Sequence, residues 1–344
     1  MTKVFLIDGS LIVRNGFKKL FSCMDDIELI GEAENPVDAF DVFKKVGLPD
    51  LFILDIKMSK MDGLTFLKQI NKQRPTPVII CSAFQEGQDS NILVDAMYLG
   101  AAEIIERPKN NLSKFFTTYK EELIDKIRTV SKANINYHSR VNLNNAKVKK
   151  IEHPRAASAK VIAIGSSTGG VQVLEEIFTH LDSFHPGIVV VQHISKNFSA
   201  SLANNLNGLV VNSIVKEIED GDIISDNTIY IAPGGIHVEI ERQGLKYCLR
   251  LKNFPKVNSH RPSINVLFDS IAKTFRSNAT GFLLTGMGDD GAKGLLELKN
   301  VGARCLSESE ASCVVYGMPK VAQELGAATE VMSLSEIIQE IKEF

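Results

Sequence analysis

The chain has 344 residues, 44% of them hydrophobic and 23% charged, with a formal net charge of −2 at pH 7. That supplies apolar material for two globular cores and gives no global attraction to nucleic acid. Tryptophan is absent and aromatics reach 7%, which argues against a base-stacking platform, and five cysteines without a Cys-x-x-Cys pair argue for buried, reduced thiols in a cytoplasmic protein rather than a disulfide framework or zinc ribbon.

Met1 to Val4 lead straight into a short apolar run, with no leader pattern. No run approaches the ~18 apolar residues of a spanning helix, so direct membrane insertion is not expected. Val4–Ile7, Leu51–Leu54, Pro77–Ile80 and Glu103–Ile105 read as strands, and each ends at a polar residue: Asp8, Asp55, Cys81-Ser82 and Arg107. Amphipathic stretches at Val37–Lys45 and Gly63–Asn71 lie between them, and Ser113–Ser131 reads as one closing helix. This alternation predicts a doubly wound α/β domain over residues 1–130.

Residues 131–158 differ in kind. Asn recurs there, and six basic residues (Lys132, Arg140, Lys147, Lys149, Lys150, Arg155) face one acid, Glu152. The stretch reads as a basic, Asn-rich linker; without aromatics beside the charge, a nucleic-acid partner is not expected.

The alternation resumes over residues 159–344. Strand-like runs at Val161–Ile164, Gly187–Val191, Thr228–Ile231 and Gly281–Thr285 predict a second parallel α/β domain, whose ligands belong beyond the carboxyl ends of its strands. Gly165-Ser166-Ser167-Thr168-Gly169-Gly170 follows the first of these runs with the Gly-x-Ser-x-Gly spacing of a nucleophile elbow. A phosphate-binding loop, or a plain Gly-rich turn, fits the same residues. A serine nucleophile needs a base, and His193 follows the second run at the same sheet edge; His237 and His260 have no clear place. Asp289 and Asp290 follow the fourth run, either as helix caps or as the carboxylate that orients an imidazole. The order Ser…His…Asp differs from that of α/β-hydrolases.

Residues 159–344 resemble the bacterial chemotaxis methylesterases. The resemblance is carried by Ile164 to Gly170, Val191-Gln192-His193, Ile231 to His237, His260-Arg261-Pro262-Ser263, Leu284 to Gly291 and Glu310 to Pro319. It implies a Rossmann-like catalytic domain that hydrolyses γ-glutamyl methyl esters on methyl-accepting chemotaxis receptors, releasing methanol, and that also deamidates receptor glutamines. It further implies Ser167 as nucleophile, His193 as base, Asp290 as its orienter and the Met287 backbone N–H in the oxyanion hole, with no cofactor for catalysis. The family has Asn where this chain has Asp289, and Asp289 is expected to point away.

Asp55-Ile56-Lys57-Met58-Ser59-Lys60-Met61-Asp62-Gly63 resembles the phosphoacceptor turn of response-regulator receivers. That resemblance implies a flavodoxin-type strand order, regulation of the esterase by the receiver, and a chemotaxis histidine kinase as partner. It also implies Asp55 as phosphoacceptor, Mg²⁺ held by Asp8, Asp55 and the Lys57 carbonyl, and Ser82 and the cation at 107 beside the phosphoryl group. Two departures stand out: Gly9 replaces the second acid, and Arg107 replaces lysine. Mg²⁺ requires near-octahedral oxygen ligation, so Gly9 predicts weak or absent metal binding.

Overall fold

The computed structural model describes residues 1–84, 89–135, 159–196 and 198–344. It divides into two compact units, with the boundary between residues 139 and 140. Residues 136–158, most of the expected linker, lie outside the described residues.

The first unit runs β1 (Thr2–Ile7), α1 (Leu11–Phe21), β2 (Ile27–Ala33), α2 (Pro36–Val46), β3 (Leu51–Leu54), α3 (Gly63–Gln73), β4 (Val78–Ser82), α4 (Ser90–Tyr98), β5 (Glu103–Glu106), α5 (Leu112–Thr118) and α6 (Lys120–Val130). Its five strands are all parallel, in the order β2-β1-β3-β4-β5. The apolar strand runs are what a sheet covered on both faces demands. One face packs Val4, Leu6 and Ile53 against Phe17, Leu123, Ile124 and Ile127. The other is a mesh of phenylalanines: Phe5 and Phe52, partners across β1 and β3, meet Phe43 of α2 at 4.4 and 5.5 Å between ring centroids. Polar residues set the helix starts. The Asn35 side chain accepts from the Asp38 N–H with Pro36 next in line, and the Asp62 side chain accepts from the Thr65 N–H.

The single helix expected over Ser113–Ser131 is in fact two, broken at Tyr119 (φ −103°, ψ 16°). The halves answer to different neighbours. Phe116 sets its ring edge-on to Phe17 of α1 at 5.0 Å, whereas the buried stripe Leu123-Ile124-Ile127-Val130 follows its own helical phase into the core.

The second unit runs β6 (Val161–Ser166), α7 (Gly170–Thr179), β7 (Gly187–Gln192), α8 (Ser199–Leu209), β8 (Ile214–Glu217), β9 (Thr228–Ile231) and an antiparallel hairpin, β10 (His237–Gln243) and β11 (Lys246–Lys252). It continues with α9 (Ile264–Thr274), β12 (Ala279–Leu283), α10 (Ala292–Asn300), β13 (Arg304–Glu308), α11 (Met318–Glu324), β14 (Glu330–Met332) and α12 (Leu334–Lys342). Seven parallel strands take the order β14-β13-β12-β6-β7-β9-β8. Phe268, Leu267 and Ile271 of α9 and Leu295 and Leu298 of α10 bury against strand residues such as Val161, Ala163 and Val189.

The expected strand Gly281–Thr285 begins two residues early and ends at Leu283, because the Thr285 N–H turns to the Glu308 carboxylate at 2.8 Å instead of continuing the ladder. From β6 the chain moves one way through β7, and later returns to β12 on the other side of β6. The topological switch point therefore lies between β6 and β12, and a doubly wound sheet opens its crevice there.

Candidate active site

Ser167 is the first residue past β6. Its N–H donates to the Thr285 carbonyl (3.0 Å), its carbonyl accepts from the Gly170 N–H (2.8 Å), and its side chain is nearly buried. The turn differs from a strained elbow: the positive φ falls on Gly169 (+77°), not on the serine. Gly286 allows a close approach, since a Cβ there would meet the Ser167 Cβ at 2.6 Å. The adjoining strand end brings in His193. Ser166 pairs with Gln192 in register, and the His193 N–H donates to the Ser166 carbonyl at 3.0 Å. The Gln192 amide donates to both the Ser167 carbonyl (2.8 Å) and the His193 carbonyl (3.1 Å). Gln192 thus locks the serine turn to the histidine turn, a role its place beside His193 did not reveal.

His193 and Asp290 meet, with Nε2 to Oδ2 at 2.8 Å and both side chains buried. Asp290 is itself held by three more donors: the Ser263 hydroxyl (2.7 Å) and the backbone N–H groups of Ile264 (2.7 Å) and Asn265 (3.4 Å). The carboxylate therefore sits on the N-terminus of α9, where unsatisfied N–H groups and the helix dipole favour an anion. Burial alone would raise its pKa, but the hydrogen bond and charge of His193 and the bonds from Ser263 and Ile264 outweigh it. They hold Asp290 below the usual carboxylate value. The other imidazole nitrogen, Nδ1, is buried without a hydrogen-bond partner, so no bond yet joins it to Ser167. Such contacts commonly tighten only when substrate is bound.

Thr285 ties the remaining parts together. Its hydroxyl donates to the Thr168 carbonyl (2.9 Å) and accepts from the Val315 N–H (2.9 Å), while its carbonyl holds the Ser167 N–H. The loop after it carries Met287, half-buried, between Gly286, bonded to Val315 and Met318, and Gly288 (φ +88°). Asp289 is exposed and turned toward the Asn258 amide at 3.4 Å, away from Asp290's partners. His260 stacks its ring on His193, a contact that residue spacing could not reveal. His237 and His185 have structural work. The His237 Nδ1 accepts from the Ser263 N–H and its Nε2 meets the Pro255 carbonyl; His185 bridges the Pro186 carbonyl and the Ser213 hydroxyl. Burial pushes both below the ordinary histidine value.

In the first unit, Asp8 and Asp55 lie at the ends of β1 and β3, with Ser82 and Arg107 at the ends of β4 and β5. The Ser82 hydroxyl donates to Asp55 Oδ1, which also accepts from the Ile56 N–H (2.7 Å). One Arg107 nitrogen bridges the two acids, 3.0 Å from Asp55 Oδ2 and 3.3 Å from Asp8 Oδ2. Asp8 is pushed up to about 6 by burial and by the Asp55 charge, which Arg107 offsets only in part. The Lys57 side chain points to Asp89 at 2.8 Å. Asp62 gives both oxygens to Thr65, at 2.9 and 2.7 Å.

The family model for the CheB methylesterase matches residues 162–341, and that for the response regulator receiver domain matches residues 4–116. A protein-glutamate methylesterase/protein-glutamine glutaminase of Leptospira interrogans is 44% identical, with 100% of both chains covered. One from Shewanella oneidensis is 42% identical over 100% of this chain and 99% of its own. The crystal structure of the Thermotoga maritima CheB methylesterase catalytic domain is 38% identical, with a TM-score of 0.53, and covers 54% of this chain and 99% of its own.

The geometry separates the two neighbouring acids. In methyl-ester hydrolysis, the activity named for those relatives, Asp290→Asn is expected to lower kcat by about 10³–10⁴-fold, because an amide cannot hold the same imidazole tautomer. Asp289→Asn is expected to stay within about threefold, as befits an exposed side chain. Steady-state kinetics on the two variants, with folding checked by circular dichroism, decides it.

Proposed function

The chain belongs to the CheB methylesterase family, and on that premise we propose that it hydrolyses γ-glutamyl methyl esters on methyl-accepting chemotaxis receptors and deamidates receptor glutamines. The observation that carries the reading is the buried Asp290–His193 pair at the switch point, one strand end away from Ser167, with the second imidazole nitrogen unpartnered. In this reading the Ser167 oxygen attacks the ester carbonyl while His193 Nδ1 takes the hydroxyl proton. Asp290 stabilises the imidazolium that results. The Met287 N–H holds the oxyanion. Collapse returns the proton to the leaving methoxide, which departs as methanol and leaves a glutamyl ester on Ser167. Water, deprotonated by the same nitrogen, then releases glutamate and restores the serine. A glutamine side chain follows the same path with ammonia as leaving group. No cofactor enters either path.

The receiver implies a kinase partner, and we propose that this is the chemotaxis histidine kinase, acting on Asp55 in the cytoplasm. Among the described residues no helix is long and apolar enough to cross a membrane. The receiver pocket fits Mg²⁺ poorly. Its two carboxylates are bridged by Arg107, position 9 offers no third, and Asp62 is committed to Thr65. The reading is therefore of a receiver with weak metal binding and weak phosphorylation, in which control of the esterase depends little on the phosphoryl group.

Two measurements test these readings. Ser167→Ala is expected to lower methanol release from methylated receptor membranes at least about 10³-fold with the fold intact; near-normal release would remove Ser167 from the chemistry. Gly9→Asp has room, since a Cβ at Gly9 finds only the Glu34 carbonyl, 3.8 Å away. It is expected to tighten Mg²⁺ binding to the full chain about tenfold or more in calorimetry, and equal binding by the two proteins would contradict the assignment of the defect to position 9.

A further inference from the structure

We propose that His260 is a positioning residue for the hydrolysis, its ring forming a fixed face that holds the His193 imidazole in plane while that ring takes and returns the serine proton. The proposal rests on the roles of Ser167, His193 and Asp290 given above and adds a residue stacked on the base of that relay.

The two imidazoles lie face to face, with centroids 3.6 Å apart and planes within 5°. Aromatic pairs left to themselves settle offset or edge-on, so a near-parallel stack this close points to a ring delivered by its backbone. That backbone is a tight, clamped turn. Val257 and His260 exchange N–H···O=C bonds of 3.1 and 2.9 Å around Asn258 and Ser259, whose φ values are +48° and +65°. Two left-handed residues in succession make the primed turn of a two-residue hairpin, normally given to Gly or Asn. A serine held there is a local strain, and such strain concentrates at functional sites.

The turn is tied down on both sides. The Arg261 carbonyl accepts from the Gly235 N–H (2.9 Å), and the Arg261 guanidinium donates to the Phe254 carbonyl (3.1 Å). The Asn258 amide reaches Asp289, on the loop that carries Asp290.

The stack supplies what Asp290 cannot. One hydrogen bond to Nε2 fixes an edge of the His193 ring and leaves the ring free to tilt about that bond. A flat face against it removes the tilt, so Nδ1 keeps its direction. Once His193 carries the serine proton, a neutral ring face also receives the cation favourably, whereas two protonated rings at this distance would repel.

The test uses the full chain with His260→Ala and His260→Phe, active sites counted by titrating Ser167 with a fluorophosphonate, and methanol release measured on methylated receptor membranes. His260→Ala is expected to lower kcat per titrated site about 10–100-fold, with KM within about twofold. His260→Phe keeps a flat face without ring nitrogens and is expected to return kcat to within about threefold of the native chain. The proposal is overturned if His260→Ala keeps native kcat, if the loss falls on KM, or if His260→Phe is no better than His260→Ala. Ser167→Ala run alongside reports on the underlying reading: residual hydrolysis there would sink the serine mechanism rather than the stack.

Discussion

The catalytic unit is organised around one buried carboxylate. Stripping water from an ionised Asp costs several kcal/mol unless donors replace it. Asp290 has four: an imidazole, a hydroxyl and two helix N-terminal amides. Each comes from an element that must be in place first. The amides need α9, the imidazole needs β7 paired in register with β6, and the carboxylate needs β12 beside β6. The switch point of the sheet and the histidine pair are therefore one constraint seen at two scales. Ser167 is bound to the same frame through Thr285 and Gln192.

The two units place acids by the same rule, at the carboxyl ends of parallel strands, yet treat them oppositely. In the receiver, burial and the Asp55 charge lift Asp8 to about 6 from 3.8, against the opposing pull of Arg107, the Ser10 N–H and Arg14. The linkage follows in sign: a carboxyl raised on folding loses stabilisation as pH climbs from about 4 to about 6. Asp290 is lowered, because its neighbours are donors and a cation-forming ring rather than another carboxylate. The opposite shifts reflect what each acid touches, since both are almost fully buried.

Strands such as β3 and β9 were legible because a parallel sheet covered on both faces writes itself as uninterrupted apolar runs like Leu51–Leu54 and Thr228–Ile231, whereas β2, β8, β10, β11, β13 and β14 mix in half-exposed or polar positions and carry no such run. The catalytic candidates were legible because Ser167, His193 and Asp290 each follow such a run. What else remained hidden was long-range. The break at Tyr119 follows from the packing of α5 and α6 on different neighbours, while the composition of the segment reads as continuous helix. Asp290 does not cap the helix that follows it: α10 is capped by Gly291, and the Asp290 carboxylate accepts instead from the Ile264 N–H of α9, 26 residues earlier in the chain. His260 reaches His193 through a turn with no periodic signature, and the Gln192 and Thr285 cross-links become visible only once strand order is known.

An Asp290 carboxylate bonded to His193 Nε2 requires the proton of the neutral ring on that nitrogen and leaves Nδ1 bare. This differs from the common serine-hydrolase arrangement, in which the carboxylate holds Nδ1. Nitrogen NMR of histidine-labelled protein, with His193→Gln to assign the signals, reads it directly. Above the pH at which His193 deprotonates, a protonated, Asp290-bonded Nε2 and an unprotonated Nδ1 are expected, with the pattern lost in Asp290→Asn. A neutral His193 protonated at Nδ1, or a tautomer indifferent to Asp290→Asn, would contradict it.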